Sequence, residues 1–178
     1  MNHDRLSAAS KERTLSQGPW GKSRERIAGL AITPVRLRGA FQGPFAALVD
    51  SSLALLEDEG RPAHDLGDIA AQRQRLFHRL QHGERAVPLG SGPSFAGHAQ
   101  WTETGPALRL RELRIAPDRR REGLGAEVLS WLLETYPGMP VHVQVLTTNL
   151  AGRAFWEAQR RLHPQLFLEA VESAPPLG

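Results

Sequence analysis

The segment Arg120-Arg121-Glu122-Gly123-Leu124-Gly125-Ala126 is the part of this sequence whose residue types best suit chemistry. It lies between a strand-like run that ends at Pro117 and a helix-like run that ends at Tyr136. The backbone N–H groups of a first helical turn have no intrahelical partner, and the helix dipole adds about half a positive charge there. Because Gly123 and Gly125 leave this backbone unobstructed, the segment predicts a binding site for an anion, most often a phosphate.

The same loop differs from the two common nucleotide-binding patterns. It lacks the first glycine of the dinucleotide fingerprint Gly-x-Gly-x-x-Gly, and no N-terminal βαβ unit precedes it. It also lacks the Gly-Lys-Ser/Thr of a nucleotide P-loop, so hydrolysis of ATP or GTP is not expected. The arginine run Arg119-Arg120-Arg121 beside the helix start favours a phosphate site over a merely solvated basic turn.

Composition excludes several classes of site. The chain has 178 residues, 40% of them hydrophobic, which suits one globular domain. It has no cysteine, so disulfides, thiolate metal ligands and cysteine nucleophiles are excluded. No His/Asp/Glu cluster has metal-ligand spacing, so no metal is expected, and no Gly-x-Ser-x-Gly elbow supports a serine nucleophile.

The charge balance permits contact with nucleic acid without requiring it. The formal net charge is +3 and the pI is near 10.1, because Lys11 and Lys22 are the only lysines among many arginines. Such enrichment also arises from genome composition, and the aromatic residues are not interleaved with the basic ones as stacking platforms would require. Without a signal-like or membrane-length apolar run, a cytoplasmic protein with no membrane partner is expected.

Residues 1–24 have few apolar anchors, so a mobile or loosely docked segment is expected there, followed by a single domain over residues 25–178. A first strand is predicted at residues 27–38 and a helix at about residues 41–59. A second helix, capped by Asp65 or Asp68, reaches about Gln81. Strands at residues 85–89 and 94–102 flank the turn Gly90-Ser91-Gly92-Pro93, which predicts an antiparallel hairpin.

The strand before the loop, residues 107–116, has a break in its pattern. Leu108 and Leu110 share one face, but the next apolar pair, Leu113 and Ile115, falls on the opposite parity. An extra residue near Arg111 or Glu112 would return both pairs to one buried face, which indicates a β-bulge. A strand buried on both faces is the alternative.

After the loop, apolar spacing predicts a helix at residues 123–136. Val141, Val143 and Val145 alternate with polar residues and predict a strand parallel to the one before the loop. A last helix is expected at residues 150–161, and residues 166–171 are suited to a final strand.

Two motifs resemble those of a known family. Arg120-Arg121-Glu122-Gly123-Leu124-Gly125 is similar to Gln/Arg-x-x-Gly-x-Gly/Ala, which marks the acyl-CoA pyrophosphate loop of the GNAT superfamily of N-acyltransferases. Asn149-x-x-Gly152-x-x-Phe155-Trp156 resembles the second motif of that superfamily, Asn-x-x-Ala-x-x-Phe/Leu-Tyr. Both motifs in order, after a bulge candidate, are far more specific than the glycine pattern alone. The resemblance covers about residues 107–156.

This resemblance implies an α+β fold of three layers, in which helices cover both faces of a central mixed, mostly antiparallel sheet. The bulged strand before the CoA loop diverges from the next parallel strand, and the pantetheine arm of the cosubstrate acetyl-CoA inserts between them. The implied cofactor-binding residues are Leu113, Arg114 and Ile115 for the pantetheine amides, Arg120, Arg121, Glu122, Gly123, Leu124, Gly125 and Ala126 for the pyrophosphate, and Asn149, Gly152, Phe155 and Trp156 along the arm.

The implied activity is transfer of an acetyl group from acetyl-CoA to a primary amine of a small molecule, peptide or protein, by direct attack on the thioester. Such a reaction needs a base. Glu112 is the candidate catalytic residue because a bulge there would aim its side chain toward the gap between the strands. The alternative is that Glu112 pairs with a neighbouring arginine (Arg109, Arg111 or Arg114) on a solvated face. Strand histidines such as His98 and His142 are more often packed or surface residues than bases.

Two departures from the family motifs support a second hypothesis, a catalytically silent acyl-CoA-binding module. Trp156 stands where many relatives have a tyrosine proposed to protonate the leaving thiolate, and an indole N–H is not a practical acid. The usual Gly-Phe after the second motif is replaced by Arg160-Arg161-Leu162-His163-Pro164. A nucleic-acid-binding domain is a third hypothesis and rests on arginine content alone. The sequence permits a homodimer without indicating one, and the acceptor amine has no recognisable signature.

Overall fold

A computed structural model describes residues 25–27, 30–32, 44–58, 69–90 and 94–172. The expectations for residues 1–24 and 173–178 lie outside these ranges. The described residues form seven strands and four α-helices: β1 (Glu25–Ile27), β2 (Leu30–Ile32), α1 (Pro44–Asp58), α2 (Ile69–Gln81), β3 (Glu84–Leu89), β4 (Gly97–Thr104), β5 (Ala107–Ile115), α3 (Leu124–Thr135), β6 (Val141–Leu146), α4 (Leu150–Leu162) and β7 (Leu166–Val171). A short 3₁₀ turn, Pro117–Arg119, follows β5.

The strands form one sheet whose order follows the chain from β1 to β7. Neighbours from β1 to β5 are antiparallel, whereas β6 runs parallel to β5 and β7 runs parallel to β6. The antiparallel hairpin of β3 and β4 and the parallel strand after α3 are therefore confirmed. The sheet is mixed and mostly antiparallel, as the expected fold class requires.

The prediction of one long first strand over residues 27–38 is wrong. Two strands of three residues, β1 and β2, pair antiparallel from Glu25↔Ile32 to Ile27↔Leu30. These two strands are neighbours in the chain, since only two residues separate Ile27 from Leu30. Residues 33–38 lie outside the described ranges, as do the caps Asp65 and Asp68. The two helices predicted next are confirmed as α1 and α2.

Helices cover both faces of the sheet. On one face, Leu124, Val128, Leu129 and Leu132 of α3 and Trp156 of α4 join strand residues in the larger core cluster. On the other face, α1 and α2 build a smaller cluster against β3, which contains Phe45, Leu48, Val49, Leu76 and Ala86. The protein therefore has three layers, with the sheet in the middle. Among the described helices, none is long and apolar enough to cross a bilayer.

The predicted β-bulge lies in β5. Gln100 of β4 pairs with Glu112, but the next residue, Trp101, pairs with Leu110. Arg111 is thus the extra residue between two paired positions. As a result, Leu113 and Ile115 pack against the same core cluster that contains Leu108 and Leu110. The opposite face of β5 therefore presents Glu112 and Arg114 toward α1.

A gap opens between β5 and β6 directly after the paired region. The two strands pair at three positions, Leu108↔Val141, Arg109↔His142 and Leu110↔Val143, and the pairing ends one residue before Arg111. Residues 112–115 pair only with β4, and residues 144–146 pair only with β7. We call the space between these two segments the β5/β6 gap. Its position agrees with the divergence of strands that the resemblance implies.

Deletion of Arg111 should destabilise the protein. Without the extra residue, residues 112–115 would shift by one position, and Leu113 and Ile115 would turn from the larger core cluster toward the polar face below α1. Losing the burial of two such side chains lowers the free energy of unfolding by about 3 kcal/mol. Urea denaturation measures this change.

Arg111→Lys is the matched control, because it keeps both the residue count and the positive charge. Its free energy of unfolding should stay within about 1 kcal/mol of that of the wild-type protein. Wild-type stability of the deletion variant would show that the bulge does not set the register of β5.

Candidate functional site

The loop between β5 and α3 has an unusual backbone. Arg121 has φ 72° and Gly123 has φ 84°, so both adopt the left-handed conformation. Glycine adopts it freely, whereas a residue such as arginine does so rarely. Turns that contain left-handed residues can direct successive N–H groups to one side, which creates a concave binding site for an anion. The sequence prediction rested on the helix start, the two glycines and the arginine run, and it did not include the conformation of Arg121.

This loop offers five backbone donors. Within the described part of the chain, the N–H groups of Arg121, Glu122, Gly123, Leu124 and Gly125 have no backbone hydrogen-bond acceptor. The N–H of Ala126 donates to the carbonyl of Gly123 at 3.0 Å and is already used. Gly123 is the N-cap residue of α3 and has no side chain to cap the helix. An external anion is therefore the acceptor that these donors suit.

The carboxylate inside the loop is neutralised. Arg119 donates to both oxygens of Glu122, from Nε at 3.1 and 3.0 Å and from Nη2 at 2.8 Å. Hydrogen bonds from Arg119 lower the pKa of Glu122 below its usual value, and the charge of Arg119 acts in the same direction, whereas desolvation opposes both. Arg120 turns back and donates from Nε to the carbonyl of Ile115 at 3.1 Å. The loop is thus positively charged around its free donors.

The space above the loop backbone is open at one glycine and closed at the other. A Cβ atom at Gly123 would meet nothing within 4 Å, so its surface remains accessible. A Cβ atom at Gly125 would lie 3.2 Å from Cζ of Phe155 and 3.9 Å from Cγ1 of Ile115. Gly125 therefore lets α3 approach both α4 and β5 where the β5/β6 gap ends.

The residues of the second motif lie at the start of α4. Asn149 is the N-cap residue, and its Oδ1 accepts a hydrogen bond from the N–H of Gly152 at 2.8 Å. A Cβ atom at Gly152 would lie 2.7 Å from Nδ2 of Asn149, so an alanine there would displace the cap. Phe155 packs edge-on against Trp156 with ring centroids 4.8 Å apart. Trp156 itself is only 7% exposed and belongs to the core.

Glu112 sits below the bulge at the centre of a polar network. Its Oε2 accepts hydrogen bonds from Ser52 Oγ at 3.0 Å and Gln100 Nε2 at 2.7 Å, and lies 3.0 Å from His98 Nε2. Its Oε1 lies 3.3 Å from Nη2 of Arg79. The side chain is 18% exposed, so it is not fully enclosed by its partners. The alternative of a solvated pair with Arg109, Arg111 or Arg114 is wrong, because the arginine that pairs with this carboxylate is Arg79.

The protonation of Glu112 is decided by opposing effects. Burial acts to raise the pKa of this carboxyl. Four effects outweigh burial and lower the pKa below its usual value, namely the hydrogen bond and the charge of His98, the charge of Arg79 and the hydroxyl of Ser52. Glu112 is therefore a carboxylate at neutral pH. Such a fixed anion is well placed to bind an ammonium or amine group.

A second carboxylate, Glu84 of β3, lies behind this network. It forms ion pairs with Arg79 Nε at 3.3 Å and with Arg111 Nε at 3.4 Å, and its side chain is 2% exposed. Burial raises the pKa of Glu84, while both arginines oppose that change. Arg79 thus bridges the two carboxylates, and Arg111, the bulge residue, is tied to the sheet through Glu84.

The sequence prediction missed most of the residues around Glu112. Four of them are Ser51, Ser52, Gln100 and Arg79, and the role of His98 was underestimated. The sequence does contain a pattern that indicates these polar residues. His98 and Gln100 have the same parity on a strand whose other face is apolar, and a pair of serines interrupts the apolar run of α1. His142, by contrast, lies on the exposed face of β6 and stacks on Phe167 at 5.1 Å.

Comparison with known proteins identifies the fold. No family model matches the sequence, and no curated protein matches it either. Among solved structures, the protein is similar to an aminoglycoside acetyltransferase from an uncultured soil metagenomic sample, solved in complex with sisomicin. The TM-score is 0.57 with 16% sequence identity over 84% of this chain and 97% of that one.

Two further solved structures have a similar fold. An acetyltransferase from Thermus thermophilus has a TM-score of 0.56 and 22% identity over 76% of this chain and 88% of that one. A candidate acetyltransferase of the GNAT family from Desulfovibrio desulfuricans has a TM-score of 0.53 and 18% identity over 73% of this chain and 83% of that one. The protein therefore has the GNAT fold, as the two sequence motifs predicted.

Glu112→Gln should reduce stability in a pH-dependent way. Because folding lowers the pKa of Glu112, its ionised form contributes stability above the ordinary pKa of 4.5, and this contribution is lost as pH falls toward the folded-state value. At pH 7 the variant should lose about 1–3 kcal/mol of unfolding free energy, because buried donors lose their anion. Urea titrations at about pH 7 and pH 4 should show the difference shrinking at the lower pH. A difference that grows on acidification contradicts this assignment.

Proposed function

We propose that this protein is an N-acetyltransferase that transfers the acetyl group of acetyl-CoA to a primary amine. One observation carries the proposal. The β5 segment that borders the β5/β6 gap has the carboxylate of Glu112 at one end and the loop with the free donors, Arg121 to Gly125, at the other. A long ligand with an anionic end and a reactive end fits that arrangement. The GNAT fold of its structural neighbours supports the same assignment.

The CoA half of the site is assigned to the loop and the gap. The five free N–H groups and the start of α3 suit a pyrophosphate, and the neutralised Glu122 adds no net repulsion. The backbone of Leu113, Arg114 and Ile115 borders the gap beyond the last β5–β6 pair, Leu110↔Val143, so it is placed near the pantetheine amides. Phe155 contacts the loop at Gly125, and Asn149 begins the helix beside it.

The acceptor half is assigned to the polar network under α1. Glu112 is the residue that would contact the amine, since it combines a negative charge with a partly exposed side chain on the β5 segment that borders the gap. Direct attack on a thioester needs an unprotonated amine nitrogen held close to the carbonyl carbon. Trp156 lies in the core, so the departing thiolate would take its proton from water, which a thiol of pKa near ~8.5 permits.

A catalytically silent acyl-CoA-binding module is the second candidate. The observation that favours it is the burial of Trp156, which leaves the position of the family's acid without an ionisable group. This candidate shares the CoA half of the site with the first and differs only in turnover. A cytoplasmic location stays a prediction.

Acetyl-CoA should bind with an affinity in the micromolar range, and Gly123→Arg should abolish that binding. The new side chain would occupy the open surface above the five donors, and its backbone would leave the left-handed conformation. Isothermal titration calorimetry measures the loss. Gly125→Arg should act in the same way, because it would also force Phe155 away.

Gly138→Arg provides a matched control. Gly138 also has a positive φ, 77°, and a Cβ atom there would meet nothing within 4 Å, but it follows the end of α3 instead of preceding its start. Its backbone strain is therefore comparable while its position is remote from the loop. Equal acetyl-CoA affinity in Gly123→Arg and Gly138→Arg would reject the loop as the pyrophosphate site.

Turnover should separate the two candidates. Release of free CoA thiol with acetyl-CoA and a broad panel of primary amines identifies an acetyltransferase, whereas binding without any release identifies the silent module. With an accepted amine, Glu112→Gln should lower kcat by about 100-fold, the range typical of a lost base. Glu103→Gln is the control, because that carboxylate lies on β4 but pairs with Arg85 and Tyr136. An unchanged kcat in Glu112→Gln removes Glu112 from the mechanism.

A further inference from the structure

Arg79, near the end of α2, contacts the carboxylate to which the proposed function assigns the amine. Its Nη2 lies 3.3 Å from Oε1 of Glu112 and 3.2 Å from Oε1 of Gln100. Its Nε lies 3.3 Å from Oε1 of Glu84. The two carboxylates thus contact different nitrogens of one guanidinium group, and this group can leave one carboxylate without leaving the other.

The two oxygens of Glu112 differ in how firmly they are held. Oε2 has three polar partners at 2.7–3.0 Å, namely Ser52, Gln100 and His98. Oε1 faces Arg79 at 3.3 Å, which is longer than the distance of about 2.7–2.9 Å usual for an N–H···O bond between charged groups. An amine that reaches Glu112 therefore competes with Arg79 and not with the three partners of Oε2.

The position of Arg79 is a compromise between two carboxylates. Its Nε and the Oε1 of Glu84 are both buried, yet neither forms a well-aligned hydrogen bond within the described part of the chain. The five donors of a guanidinium lie in one fixed plane, which limits alignment with groups on two strands. The Arg79 side chain is 33% exposed, so water can reach it when it moves, and the buried Glu84 still balances its charge.

We propose that the guanidinium of Arg79 occupies the ammonium subsite at Glu112 until an acceptor amine displaces it toward Glu84. This inference rests on the proposed function and makes Arg79 a residue that sets the affinity for the acceptor. The exchange conserves charge, since one cation leaves the carboxylate as another arrives. Glu112 therefore keeps a cationic partner throughout, which matters because an unpaired carboxylate is strongly disfavoured at a mostly buried position.

The exchange also defines the chemical class of the acceptor. An amine can replace a guanidinium at a carboxylate only if it arrives as a cation. An alkyl amine, with a pKa near ~10.4 as in lysine, is protonated at neutral pH and meets this condition. An aromatic amine is neutral there, because its lone pair is delocalised into the ring. The acceptor is thus an aliphatic primary amine that binds as its ammonium ion and loses its proton at Glu112 before the attack.

Two substitutions that break the same ion pair should change the KM for the acceptor in opposite directions. Arg79→Gln removes the competing cation, so the KM for an accepted alkyl amine should fall by about fivefold. Glu84→Gln removes the carboxylate that draws Arg79 away from Glu112, so this KM should rise by about fivefold. The KM for acetyl-CoA should stay within about twofold in both variants. A purely structural ion pair would change the acceptor KM in the same direction in both, and that result would overturn the proposal.

The double variant Arg79→Gln/Glu84→Gln removes one charge of each sign and provides a test if either single variant folds poorly. Its acceptor KM should equal that of Arg79→Gln, because Glu84 acts through Arg79. An acceptor KM as high as that of Glu84→Gln contradicts the proposal. Arg85→Gln is the control, because this arginine of β3 pairs with Glu103, and it should keep the wild-type KM.

A binding measurement does not depend on turnover. The full chain with ¹³C-labelled glutamate carboxyl groups is titrated with n-propylammonium at neutral pH, and NMR follows the signal that is absent from Glu112→Gln. This signal should shift at about fivefold lower amine concentration in Arg79→Gln than in the wild-type protein. Equal midpoints, or no shift in either protein, would overturn the displacement of Arg79. If the wild-type protein acetylates no amine, the proposed function fails, while this titration still decides whether Arg79 occupies the subsite.

Discussion

The single extra residue in β5 is the constraint on which the rest of the structure depends. Arg111 has no partner in β4, and its insertion returns Leu113 and Ile115 to the face on which Leu108 and Leu110 are buried. The pairing of β5 with β6 also stops one residue earlier. One insertion therefore seals the larger core, opens the β5/β6 gap and turns Glu112 toward α1. The ion pair between Arg111 and Glu84 holds the bulge to β3.

The two faces of the sheet satisfy different physical demands. The face under α3 and α4 is apolar and excludes water through side-chain packing. Near the gap, the face under α1 carries buried polar groups, which are tolerable only when their hydrogen bonds are complete. Gln100 shows this, since its amide nitrogen donates to Ser52 and Glu112, and its oxygen accepts from Arg79. A network of this kind holds the carboxylate of Glu112 in place at the edge of the core.

Local patterns in the sequence were sufficient for most elements and for the loop. The parity change between Leu110 and Leu113 located the bulge because side-chain alternation is a strict geometric rule. Two glycines at a helix start located the anion site because they leave the neighbouring backbone N–H groups unobstructed. The network around Glu112 could not be predicted in this way, since Ser51, His98 and Glu112 come from three distant elements. One strand was predicted in place of β1 and β2, because strands of three residues carry too little pattern to be told apart.

The sheet order has a consequence for the architecture as a whole. Since spatial order follows chain order, the β5/β6 gap separates two contiguous parts of the chain, residues before and after Ala116. Glu112 belongs to the first part, and the loop donors belong to the second. A ligand that fills the gap therefore ties both parts together, and at 100 times its Kd it would add about 2.7 kcal/mol to the folded state. If the chain were cut between Ala116 and Pro117, reassembly of the two fragments would report the presence of such a ligand.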